Sequence, residues 1–286
     1  MSALADYQQL SVETGIALPV LLRDFLASGL TVYGPDWAST WRQRYLQQPP
    51  LLLSFWDFEW LPAQESRAVI QEWLNPAAQQ GQRFLPFAQT GAGDAWCLVP
   101  MEGGKVGVAL VWHDAAESRL GYQCFADFVY AGFLNTFADL SHGPEDFSPA
   151  QIQQSLQADV AQATRYMEEE PAAYLQACSR RLLVQRAFKD GPRAQSRQVA
   201  SLLSQHELEM ALQKLVVPKM TFPVLARWEI ASEEAPSAAP DWRSYAQLPG
   251  QKIAAIKAYQ HTYGVSLSEA KAAVDHYIAD LQHPLN

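Results

Sequence analysis

Few residues in this 286-residue chain stand at a spacing that chemistry can use. His206 and Glu207 open the segment HELEM (206–210) like the first half of a zinc-protease helix. The position one turn on, where a second imidazole must sit, is Met210. Gly103-Gly104-Lys105 lacks the loop length that wraps a phosphate, and the segment GAGDAW (91–96) lacks the third glycine of a dinucleotide-binding turn. There is no Gly-x-Ser-x-Gly elbow. His113 and Asp114 supply a base and a group to orient it, but adjacent strand residues point to opposite faces and no nucleophile accompanies them. Cys97, Cys124 and Cys178 occur singly in apolar segments without CxxC spacing, the pattern of reduced core thiols rather than a zinc site or disulfide framework. The sequence therefore predicts no catalytic residue, no metal site and no cofactor. A hydrolase centred on Asp94 and His113 remains as an alternative.

Charge narrows the choice of partner. The chain has a net charge of −9, distributed unevenly: residues 1–140 carry 14 acidic and 7 basic side chains, net −7, while residues 165–227 carry 10 basic and 6 acidic, net +4. An acidic N-terminal part repels phosphate backbones and steers basic proteins toward itself, which argues against nucleic acid; a merely solvated acidic surface is the plainer alternative. Seven of the nine tryptophans fall in the first 112 residues, so the same part is rich in aromatic anchors. Together these predict a partner-binding surface drawn from Asp36, Asp57, Glu59, Asp114 and Glu117, with Trp37 or Trp112 as the exposed anchor unless both are core residues. The opening MSALADYQQL lacks a basic then apolar leader, and no run approaches the roughly 18 apolar residues of a membrane span. The expectation is a cytoplasmic protein with no membrane contact.

Elements must position these residues. After Gly15, Pro19 starts a short helix whose Val20, Leu21, Leu22, Phe25 and Leu26 share a face. Residues 49–60 (PPLLLSFWDFEW) read as a strand buried on both sides, and 65–74 as a helix with Val69, Ile70, Trp73 and Leu74 inward. Residues 84–100 and 105–114 read as strands of an antiparallel meander, and 124–140 as a helix closing the module. In the turn between the first two strands, Gly91 and Gly93 permit positive φ, and Asp94 is expected to accept amide N–H bonds of its own turn; alternatively it lines a cleft. Beyond 141–150 the pattern is helical. Ser148 and Gln151 make a capping box before a stripe of Ile152, Leu156, Val160 and Met167; a second helix runs from Pro171 toward Gly191-Pro192, and a third from Ser196 to Leu215. The basic run Arg180, Arg181, Arg186, Lys189, Arg193 and Arg197 reads as a solvated face, or as one that meets the acidic module or a partner.

The order of LPVLLRDFLASG, FLPFAQTGAGDAWCLVP, VGVALVWHD and CFADFV resembles the SUKH superfamily over about residues 10–140. One departure is SGLTVYG, where the family's first helix usually ends in Asn-Gly. The resemblance implies an α+β fold, a largely antiparallel sheet flanked by helices, and a non-catalytic role. Bacterial members look like immunity proteins that neutralise polymorphic toxins, and others like regulatory modules. The implied function is therefore a protein that caps a basic toxin domain, or else a scaffold with an endogenous partner. Residues 250–278 resemble, without gaps, the helical hairpin of the C-terminal domain of the bacterial ribosomal stalk protein, through Lys252, Ile253, Ile256, Lys257, Gly264, Leu267, Glu269, Ala270 and Lys271. Gln260 and Ser268 stand where that family has basic residues. The expected organisation is a SUKH-like domain over 1–140, a helical extension over 141–231, a Pro/Ser/Ala-rich linker over 232–249, and the hairpin over 250–286. Within the hairpin, Ile253, Ile256 and Tyr259 face inward, Gly264 and Ser266 cap the two helices, and Ala270, Val274 and Tyr277 pack back.

Overall fold

The computed structural model describes residues 2–191, 193–216, 219–227, 230, 242–247, 252–263, 265 and 267–282. Contacts divide the chain into a unit of residues 1–227 and a second of residues 228–286.

The first unit opens with helices α1 (Ala3–Thr14), α2 (Val20–Ser28) and α3 (Trp37–Gln47). Strand β1 (Glu59–Trp60) and helix α4 (Ala63–Glu72) lead into β2 (Leu85–Gln89), β3 (Ala95–Pro100), β4 (Val106–Val111) and β5 (Glu117–Tyr122). Helix α5 (Phe125–Ala138) follows. The strands pair antiparallel in the order β1-β2-β3-β4-β5, and a late strand, β8 (Thr221–Pro223), joins the β5 edge. Leu85, Phe87, Leu98 and Val108 stand at alternating positions and share one core with Phe125, Phe128 and Phe133 of α5. Phe128 holds the layers together, its ring lying 5.0 Å from Trp96, 5.5 Å from Tyr122 and 5.6 Å from Phe87. This is the expected α+β sheet with flanking helices.

Two segments differ from the pattern reading. Residues 51–57 form consecutive turns, and only Glu59 and Trp60 reach the sheet. Leu51, Leu52 and Phe55 are still buried, the two leucines fully enclosed, but in a loop rather than a strand, and Trp56 turns out to solvent. The cause lies about a hundred residues away, in α6 (Pro149–Ala163). There Asp159 accepts the Leu52 N–H at 2.8 Å through one carboxylate oxygen, and through the other the Ser54 N–H at 3.1 Å and hydroxyl at 2.7 Å. These bonds hold Leu52 at φ 61° in a left-handed conformation that a strand cannot contain.

The second difference lies beyond α7 (Glu169–Ser179). The helix expected to run on toward residue 191 stops at Ser179, and β6 (Val184–Phe188) pairs antiparallel with β7 (Arg197–Ser201). The helix expected over 196–215 is thus β7 followed by α8 (Gln205–Leu212), which opens on a capping box of Ser204 and Glu207. Gly191 belongs to the connection between two strands, not to a helix end, and Pro192 lies outside the described residues. The capping box at Ser148 and Gln151 is present as read.

In the second unit, α9 (Trp242–Ala246) lies within the stretch read as linker, followed by α10 (Lys252–Tyr263) and α11 (Leu267–Gln282). Trp242 is buried, 4.9 Å from both Tyr259 and Tyr277, and Ala255, Ala270 and Val274 complete a small core. The hairpin thus rests on a tryptophan just ahead of it. Residues 232–241 and 248–249, the Ile253 side chain, Gly264 and Ser266 lie outside the described residues.

Burial pushes the Asp159 carboxyl up to about 6, against the opposing pull of the Ser54 and Leu52 hydrogen bonds. The folded protein therefore holds this proton more tightly than the unfolded chain does, and the resulting stabilisation fades as pH rises from about 4 to about 6. Asp159→Ala leaves two amides and a hydroxyl unpaired and should lower stability by about 3 kcal/mol. Denaturant titrations across that pH range should show the difference between wild type and variant shrinking as pH rises; a growing difference would reverse the assignment.

Candidate functional site

The strand register brings distant acidic residues to one end of the sheet. Glu59 pairs with Gln89, Gln89 with Ala95, and Ala95 with Val111, so β1 to β4 begin or end along a single row. Leu110 pairs with Arg119, which carries Trp112 and Glu117 to the same end as β5 begins. Asp94 immediately precedes this row on β3, and Asp114 lies in the β4–β5 connection. Trp112 is 50% exposed, and Glu59, Asp114 and Glu117 are exposed beside the turns.

Hydrogen bonds tie these connections together. The Gly91 N–H donates to Asp57 Oδ1 at 2.7 Å, which couples the 51–57 loop to the β2–β3 turn. A Cβ at Gly91 would stand 3.3 Å from that oxygen, so glycine serves here for close approach; only Gly93, at φ 95°, uses the left-handed freedom expected of both. Asp57 itself is held at φ 50°. Glu59 accepts the Gln89 amide at 3.2 Å across the β1–β2 ladder.

Asp94 departs from its expected role. Its turn is closed by Thr90: the Gly93 N–H donates to the Thr90 carbonyl at 3.0 Å, and the Asp94 N–H to the Thr90 hydroxyl at 3.1 Å. The Asp94 carboxylate takes the Thr90 hydroxyl at 3.4 Å but no amide of its own turn, and reaches across to the β4–β5 connection, accepting the His113 N–H at 3.1 Å and meeting its Nδ1 at 2.7 Å. At 9% exposure it is a buried clasp between neighbouring connections. Strand β4 ends at Val111, so the opposite-faces argument does not apply to His113 and Asp114. Ligand atoms of Asp94, His113 and Asp114 lie within 4.8 Å of one another, but the 2.7 Å Nδ1 to Oδ1 approach is that of a hydrogen bond. Among the described residues no hydroxyl or thiol is hydrogen-bonded to the His113 ring, so the pair resembles the base and orienting group of a triad without its nucleophile. Burial raises the thiols of Cys97, Cys124 and Cys178, making them poor nucleophiles.

Asp36 and Trp37 are placed elsewhere. Trp37 is half-buried, 5.2 Å from the Tyr33 ring with the Arg44 guanidinium over it, and the Asp36 carboxylate lies 3.8 Å from Arg44. Both belong to the start of α3, and among the described residues they share no hydrogen bond with the strand-end group.

Sequence reasoning missed Trp56, which is 65% exposed and lies 4.0 Å from the His142 ring, tilted by 36°. His142 Nε2 lies 3.0 Å from the buried carboxylate of Asp139, which also pairs with Arg197. Burial works to raise that carboxyl, but bonds from Ser141 and Arg197 outweigh it and hold it below the usual range. The polar Ser54 and Asp57 around Trp56 were the available signal that the apolar run is not a continuous strand.

The fold is an α+β domain whose strand ends form an open, acidic, tryptophan-bearing surface. Residues 3–131 match the model of the SMI1/KNR4 family (SUKH-1). No curated protein and no solved structure matches the chain.

Asp94→Ala removes the acceptor of the His113 amide and should cost about 1–2 kcal/mol of stability. The His113 amide should then exchange with solvent markedly faster than in wild type. Unchanged stability and exchange would show that the clasp contributes nothing.

Proposed function

We propose that the protein is a non-catalytic binding module that caps a basic toxin domain, an immunity function exercised in the cytoplasm. The observation that carries this reading is the convergence of Asp57, Glu59, Asp114 and Glu117 with the half-exposed Trp112 at one end of the sheet. Charge of one sign raises the rate of encounter with a basic partner and is screened by salt. An exposed indole acts differently: once buried it slows dissociation. These residues sit on strand ends and on the connections next to them, so the surface is ordered before the partner arrives and little entropy is lost on binding. Asp36 and Trp37 form a second candidate contact at the start of α3, and Trp56 extends the aromatic surface beside Asp57.

The test is association kinetics with a basic toxin domain encoded beside the gene, at two salt concentrations, together with survival of cells expressing that toxin. Glu59→Lys, Asp114→Lys and Glu117→Lys combined should lower the on-rate about tenfold and flatten its salt dependence. Asp57 also holds the Gly91 amide and is better changed to Asn. Trp112→Ala should weaken binding by about 2 kcal/mol, mainly through the off-rate. An on-rate indifferent to salt and to charge reversal rejects the acidic surface. Loss of binding to an endogenous protein without any change in survival would favour the scaffold role.

A further inference from the structure

A second recognition feature lies away from the strand ends. A cavity of about 970 Å³ opens where the N-terminal turns of α2, α5 and α7 meet α8. Its apolar lining includes Val20, Tyr130, Tyr166, Met167, Tyr174 and Met210. Three of these are unusually open to solvent for large apolar side chains: Val20 at 63%, Met210 at 50% and Tyr166 at 36%. Their grouping around one concavity makes a contiguous apolar patch, the kind that marks a contact surface rather than scattered surface residues.

Charge on the lining points to the occupant. Asp127, Glu168 and Glu170 stand along the α5 and α7 side, and the lining cation is Lys214. Glu207 also lines the cavity but is engaged by Arg181 at 2.8 Å. We infer that this groove receives an amphipathic helix of a partner protein, with an apolar stripe seated between Val20 and Met210 and flanking Lys or Arg side chains against Asp127, Glu168 and Glu170. The two methionines suit this mode because their flexible thioethers repack around an inserted stripe.

The chain has five methionines, two of which line the groove, so methyl-labelled methionine reports on this place directly. The full chain is titrated with a synthetic helical peptide bearing Leu at i, i+3, i+4 and i+7 and Lys on both flanks, and with a matched peptide carrying Glu instead. The Lys peptide should shift the Met167 and Met210 methyls and leave Met101 and Met220 in place. Met210→Glu and Val20→Asp, at exposed positions that leave the melting temperature near wild type, should weaken binding about tenfold or more. Glu168→Gln with Glu170→Gln should weaken it and lessen its salt dependence, whereas Glu59→Lys with Glu117→Lys should leave it unchanged. Preference for the Glu peptide, shifts spread over all methionines, or indifference to the groove variants would overturn the proposal. So would Met167 and Met210 shifts that follow protein concentration alone, which would identify a contact between copies.

Discussion

The surface at the strand ends depends on a carboxylate that is not part of it. Asp159 lies fully buried on α6, and its three hydrogen bonds to Leu52 and Ser54 replace the ladder that the 49–60 segment would otherwise enter. Burying a carboxyl is costly unless its oxygens are occupied, and two backbone amides and a hydroxyl occupy them here. The loop is fixed by further bonds: Thr136 of α5 donates to the Ser54 carbonyl at 3.1 Å, and Gln162 of α6 to the Pro49 carbonyl at 3.0 Å. From that template Trp56 turns outward and Asp57 reaches Gly91. The β2–β3 turn is then held from one side by Asp57 and joined to His113 by Asp94 on the other. A chain of local bonds thus runs from the interior of α6 to the rim of the sheet.

This dependence reaches past the family-matched segment, which ends at residue 131. Asp159 and Gln162 come from α6, β8 completes the β5 edge, and Leu140 and Leu202 bond β7 and the residue after it to the end of α5. The segment from 141 to 227 is therefore a structural part of the first unit, whose compact boundary falls at Arg227. A fragment ending near residue 140 would lose the acceptor that shapes the 51–57 loop.

How much of this was legible follows from the range of each interaction. The meander of β2 to β5, helix α5 and the Ser148 capping box are set by alternation, helical periodicity and contacts three residues apart, all of which a sequence displays. Residues 51–57 were misread because an apolar run looks alike whether it is buried as strand or as loop; the deciding partner is Asp159, more than a hundred residues away. The β6–β7 hairpin was misread because VQRAF and RQVAS alternate only weakly between arginine-bearing helical neighbourhoods, and pairing between them, not local propensity, makes them strands. At the site, the acidic residues were visible as types, but their shared row is a property of register. Asp94 was correctly placed in the turn and wrongly paired, because the competing acceptor role toward His113 is nineteen residues distant.

The uneven charge along the sequence takes on a different meaning in three dimensions. The basic run of residues 180–197 is partly spent inside the unit: Arg181 pairs with Glu207, Arg186 donates to the Ser201 carbonyl, and Arg197 bridges Asp139 and Asp190. Arg197 is where the basic run meets the acidic module, and it does so at the largely buried Asp139. Arg180, Lys189 and Arg193 remain exposed. Local pairing therefore removes cations at the hairpin while leaving Glu59, Asp114 and Glu117 exposed at the far end of the sheet register. Because exposed charges more than about 10 Å apart are screened at physiological salt, the field an approaching protein meets is set by the nearby group and not by the net charge of the chain. The sheet end carries several carboxylates and an exposed indole. Among the described residues the one arginine bonded to its turns, Arg227, donates its backbone N–H to the His113 carbonyl at 2.8 Å and pairs with Glu72, so the exposed charge among Asp57, Glu59, Asp114 and Glu117 stays negative.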